Sequence, residues 1–190
     1  TADFIILDPS FLGLPPQVAE RIAALDEIQA ASPVRPTLAQ IGGDQVGLAA
    51  VDPAAMPDLT DFDVSEGGYE GLTADDGVMI HRDKAKDLGV EVGDTVDVTF
   101  SNGIERPLTV AGLYDDNSLA GDWIISAALL DAVSEVPPRD QLVLVRTAEG
   151  VDLDTARVAI EQEVADFPQA EVQSNTEFRE DQEGQIDQLL

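Results

Sequence analysis

The apolar positions of this chain fall into short runs of strand length and longer stretches with helical spacing. Asp3–Leu7 (DFIIL) is a continuous apolar run, and Asp8-Pro9 closes it. Pro15-Pro16 opens a helix, where the missing N–H would be unpaired in any case. Val18, Ile22 and Leu25 recur at i, i+4, i+7, so the segment to about residue 26 is amphipathic. Ile28 to about Gln40 is extended, and its prolines, Pro33 and Pro36, predict an edge or irregular strand. Gly42-Gly43 turns the chain back into a strand alternating at Val46, Leu48 and Ala50 and ending at Asp52-Pro53.

Residues 53–76 are rich in Asp, Gly and Pro and read as loop. Val78–Tyr114 then spells strand, short helix, glycine turn and β-hairpin. Leu88-Gly89 places a glycine just past the helix end, and Gly93-Asp94 turns into the next strand. Asn102-Gly103 predicts a two-residue type I′ turn between Val96, Val98, Phe100 and Leu108, Val110, Tyr114. Gly112 marks a bend or a close backbone approach. Asp122–Ser126 is a short strand whose Ser126 can cap a helix over 127–133, and Pro137-Pro138 is a stiff connector. The opening pattern then returns. Gln141–Arg146 is a strand, and Asp152 or Asp154 caps a helix with Ala156, Ile160 and Val164 on one face. Ala170–Gln173 is a final strand, followed by a polar helix-like segment with Phe178, Ile186, Leu189 and Leu190 as its few apolar residues.

Strand–helix–strand at each end, with a β-rich insert between, predicts an α+β fold. Its frame is a discontinuous, ferredoxin-like split β-α-β layer of porter type, over 1–52 and 139–175. Residues 53–138 form a smaller inserted β-rich α/β subdomain, and 176–190 a juxtamembrane helical segment.

Charge narrows the function. The formal net charge of −28, with ten basic residues, excludes phosphate-rich nucleic acid and anionic lipid as partners. Such a surface reads as the solvated acidic surface of an acid-rich proteome, a balance used by proteins working in high salt, ahead of weak cation binding. With no cysteine there is no disulfide, thiol catalysis or cysteine metal site. His81 is the single histidine; without a second histidine or a cysteine it cannot supply a Ser-His or Cys-His pair together with a histidine-rich metal site, and a surface or helix-capping role is expected. Asp61–Ser65 begins like a calcium loop, but Glu66 stands where glycine is needed and Leu72 where the closing glutamate is needed. Carboxylate pairs are too abundant to identify a hydrolase. No catalytic, cofactor-binding or metal-binding residue is expected. The candidates for partner contact are Phe11, Leu12 and Leu14 in an apolar loop, with Tyr114 and Trp123, an aromatic pair that packs in a core or, if exposed, anchors a partner.

Ala85-Lys-Asp-Leu-Gly89, Val92-Gly-Asp-Thr-Val96, Gly103 and Val110-Ala-Gly-Leu-Tyr114 resemble the extracytoplasmic domain of FtsX-like ABC-transporter permeases, of the MacB and LolC type. Ala2-Asp-Phe-Ile5 resembles the strand that follows the first transmembrane helix in that family, and Gln185–Leu190 the approach to the second. Thr1 in place of an initiating methionine fits an excised or processed chain. The resemblance implies a MacB-like periplasmic core domain on the extracytoplasmic side of the cytoplasmic membrane, not itself an enzyme. It would relay ATP-driven transmembrane motion to an extracytoplasmic substrate or partner. Its implied partners are a cytoplasmic ATPase subunit, reached through the transmembrane helices, and a second permease subunit. The alternative is a soluble small-ligand-binding β-barrel, which the Gly-Asp-x-Val motif and hairpin also fit.

Overall fold

The computed structural model describes residues 1–73 and 76–187. In chain order the elements are β1 (Phe4–Leu7), α1 (Gln17–Ala23), β2 (Ile28–Ile41), β3 (Asp44–Val51), α2 (Met56–Leu59), β4 (Val64–Gly67), β5 (Gly77–His81), α3 (Arg82–Leu88), β6 (Thr95–Phe100) and β7 (Glu105–Tyr114). They continue with β8 (Trp123–Ser126), α4 (Ala127–Val133), β9 (Leu142–Thr147), α5 (Leu153–Glu163), β10 (Glu171–Ser174) and α6 (Asn175–Asp187). The fold is a mixed α+β fold around a mixed sheet, with β3/β8 and β5/β7 as its parallel pairs. Of the terminal segment with the expected approach to a membrane, residues 188–190 lie outside the described residues, and the side chains of 185–187 with them.

The long strand β2 belongs to two sheets. Ile28–Val34 pairs with β9, which pairs with β1, which pairs with β10, all antiparallel. Arg35–Ile41 pairs instead with β3, and Ala39–Ile41 also with β6. Pairing therefore changes within β2, and Arg35–Val51, expected in the terminal frame, pairs with strands of residues 53–138. Pro33 and Pro36 sit where β2 has one strand neighbour, β9 for the first and β3 for the second. That is the placement a residue without an N–H requires.

The second sheet closes on itself. β2 pairs β3, β3 pairs β8, β8 pairs β5, β5 pairs β7, β7 pairs β6, and β6 returns to β2. The inside of this six-stranded ring is filled by inward residues such as Ile41, Leu48, Val78, Ile80, Val98, Leu108 and Trp123. Alternation along each strand delivers them there.

Two further apolar clusters complete a layered molecule. Phe4, Ile6, Val143 and Val145 pack under Val18, Ile22, Ala156 and Ile160 of α1 and α5. The opposite face of the same strands meets the outside of the ring, where Ile5, Val34 and Leu144 join Ala49, Met79, Tyr114 and Ile124. Met56, Leu59, Leu72, Met79, Tyr114 and Ile124 in this junction are each at most 1% exposed. Burial at that level contributes about 1.5–3 kcal/mol per side chain, so the junction is a core in its own right.

Several local expectations change. The stretch 53–73, expected as loop, carries α2, β4 and a 3₁₀ turn at Tyr69–Leu72, and supplies much of the junction. Each piece is four residues long, too short for a hydrophobic period to show. The Asn102-Gly103 hairpin is a three-residue turn, not type I′. Gly103 N–H donates to the Phe100 carbonyl (2.8 Å), and only Gly103 of the pair has positive φ. Asn102 serves through its side chain, donating to the Val133 carbonyl (2.6 Å) and accepting from Ile104 N–H (3.2 Å). At Gly112 the bend and the close approach both occur. The register slips between Val110 and Gly112, so Leu113 faces the ring and Tyr114 the junction.

Candidate partner-contact site

The connection from β1 to α1 is pinned at both ends. The Asp8 carboxylate accepts from the Ser10 amide (2.8 Å) and hydroxyl (2.6 Å), and the hydroxyl bond above all holds its carboxyl below the usual range. Leu14 and Asp140 exchange backbone hydrogen bonds of 2.8 and 2.9 Å. Gly13 (φ 80°) passes so close to the neighbouring connector that a Cβ would lie 2.9 Å from Cβ of Arg139. Between these anchors Phe11 takes a left-handed φ of 60°. For an aromatic residue that is a strained conformation, held by the surrounding loop. The loop presents Phe11 and Leu12 to solvent, 83% and 74% exposed. They border a cavity of ≈ 960 Å³ floored by Leu7, Val34 and Leu142, with Arg139 at its edge.

The other candidates are core residues. Leu14 is fully buried against α1, because its backbone pairing turns the side chain inward. Tyr114 is buried against Phe62 (centroids 5.8 Å), meets the edge of His81, and donates its hydroxyl to the Gly121 carbonyl (2.6 Å). Burial pushes its phenol well above the ordinary range. Trp123 is 2% exposed and packs inside the ring, opposite Ile80 in register. None of the three is available to a partner. His81 occupies the N-cap position of α3 without capping through its side chain. Its Nε2 lies 3.0 Å from the Asp115 carbonyl.

A buried charge cluster was not anticipated. Arg35, 6% exposed, donates through Nε to Asp140 and through Nη1 to Asp131 of α4 (2.9 Å). Asp140 is fully buried, and desolvation raises its carboxyl against the opposing pull of Arg35. Arg35 is the first residue of β2 to pair with β3, so the cluster ties the sheet crossover to α4 and to the connector before β9. Arg35, the one charged residue of β2 and set between Val34 and Pro36, was the signal for it.

No group of three or more metal-ligating side chains occurs among the described residues. The model of the MacB-like periplasmic core domain matches residues 3–163. The chain belongs to that family. Its members are periplasmic domains of MacB and related FtsX-like ABC transporter permeases, transporter domains that are not themselves catalytic and work with a cytoplasmic ATPase. The fold agrees. The periplasmic region of MacB from Actinobacillus actinomycetemcomitans superposes with a TM-score of 0.73 at 13% identity, over 96% of this chain and 93% of that one. The extracellular domain of the noncanonic ABC-type transporter YknZ from Gram-positive bacteria gives 0.60 at 12% identity, over 90% and 98%. No curated protein sequence matches this one. Membership places the domain on the extracytoplasmic side of a membrane transporter. No helix among the described residues is long and apolar enough to cross a membrane.

Proposed function

We propose that this domain relays motion, driven by ATP hydrolysis in a separate cytoplasmic subunit, from the transmembrane helices of its permease to an extracytoplasmic substrate or partner. The observation that carries this reading is β2, a single fourteen-residue strand that is part of both sheets. A displacement of the frame is transmitted to the ring through covalent backbone and the shared junction core. The frame's strand order, β10-β1-β9-β2 with α1 and α5 on one face, supports a ferredoxin-like split β-α-β layer of porter type. Its boundary with the ring-shaped subdomain is best drawn inside β2, at Val34/Arg35. Both ends of the frame meet at one place, where Asn175 donates from its backbone N–H to Asp3 (3.0 Å) and from its side chain to Ala2 (2.8 Å). Helices continuing from β1 and α6 would therefore act on the frame together. Phe11 and Leu12 are the contact point we assign to the extracytoplasmic partner, and a second permease subunit completes the assembly.

In the intact permease with its ATPase, replacing residues 3–174 by a flexible linker should leave ATP hydrolysis running and abolish transport. Transport that persists at the normal rate contradicts the relay. A soluble small-ligand barrel would have the closed ring to build on, but side chains fill that ring as in other small barrels.

A further inference from the structure

Two neighbouring cavities share three lining residues, Ser118, Leu119 and Phe178. The floor of the larger is the cross-strand pair Leu7/Leu142, and the floor of the smaller, ≈ 310 Å³, is the next pair on the same face, Ile5/Leu144. Two residues along a strand advance about 7 Å. The cavities thus lie end to end on one apolar face of the β1/β9 ladder, divided where Phe178 and Leu119 stand against it. Phe178 and Leu119 are both half-buried and pack on the junction core.

Among its described side chains, the helix that carries Phe178 has little else to hold it. In α6, Arg179 to Gly184 are all exposed, and a glycine inside a helix costs about 1 kcal/mol relative to alanine. Its first turn is seated by a reciprocal cap. Ser174 N–H donates to the Glu177 carboxylate (2.6 Å), and Glu177 N–H donates to the Ser174 hydroxyl (3.2 Å). Arg157 of α5 pairs with Glu177 at 3.1 Å, and Gln173 donates to Asp181 at 2.8 Å. Beyond these polar contacts, Phe178 is the one half-buried apolar anchor between Thr176 and Gly184.

We propose that α6 is a strap and Phe178 its plug: when the first turn of α6 releases its Ser174–Glu177 cap, Phe178 leaves the sheet and the two cavities become one apolar trough along β1 and β9. The occupant in the closed state is thus a segment of the chain itself. The device stands on α6 and the frame alone and does not depend on the transport reading.

Hydrogen exchange on this chain, together with binding of the apolar dye anilinonaphthalene sulfonate, tests it. Amides of 178–184 should exchange by local opening while those of β1 and β9 exchange only with global unfolding. Phe178→Ala should speed α6 exchange about tenfold or more and raise dye fluorescence, with the cooperative melt of the rest retained. Glu177→Gln, which loosens the seat without touching the trough, should speed α6 exchange and raise dye binding by a smaller amount. Exchange of α6 only through global unfolding overturns the strap. Faster α6 exchange with unchanged dye binding in both variants overturns the trough.

Discussion

Two carboxylates in this molecule respond to pH in opposite senses. Asp8 is held low by Ser10, so the stability it contributes is present above its unfolded pKa and lost as pH falls through the folded one. Ser10→Ala should lower Tm at neutral pH, and the deficit should shrink as the pH is taken below the carboxylate range. Calorimetry across that range reads it directly. Asp140 is raised by desolvation, so its ionised form is the less favoured one in the fold, and acidification relieves it. Removing it is another matter, because Arg35 would keep a buried charge with only the half-exposed Asp131 as partner. Asp140→Ala should cost about 3 kcal/mol in chemical denaturation, near the low end for a broken buried pair because Asp131 remains. A loss below 1 kcal/mol would mean that the cluster carries little of the crossover.

Close backbone packing fixes the ring at the level of elements. A Cβ at Gly112 would meet the Glu66 carbonyl and the Gly68 nitrogen at 2.9 Å each, with both atoms on the backbone of neighbouring chain. Gly112→Ala should therefore destabilise by about 1–3 kcal/mol, measured by urea midpoint at unchanged m-value. This glycine was legible in the sequence, as were the strands other than β4, α1, the Ser126 cap on Leu129 N–H (3.0 Å) and, as one of two candidates, the Asp152 cap of α5. All rest on local chemistry of a few consecutive residues. What did not show was set by partners far along the chain. The pairing switch in β2 follows from β9 and β6, more than fifty residues away in sequence. Tyr114 and Trp123 were open between core and contact because alternation gives a face but not what covers it. Leu14 carried the same ambiguity, whereas Phe11 and Leu12 came out exposed because the loop anchors at Asp8 and Leu14 bulge the chain between them.

For the whole molecule, the shared strand and junction predict one cooperative body. Fluorescence of Trp123, the sole tryptophan and a ring residue, should report the same unfolding midpoint as far-UV circular dichroism of the complete chain. Two separated transitions would show frame and ring to be independent. This chain holds no cysteine, so a cysteine introduced in it marks one chosen position. Spin labels can be placed at Val158 on α5 and Ser101 on the β6–β7 turn, both exposed, with a third on the membrane-embedded part of the intact permease. Distances read in the presence and absence of ATP and the ATPase should leave the 101–158 separation unchanged while both labels shift together relative to the membrane. A domain that holds its place through the ATP cycle, or a ring that moves while the frame stays still, would contradict the relay.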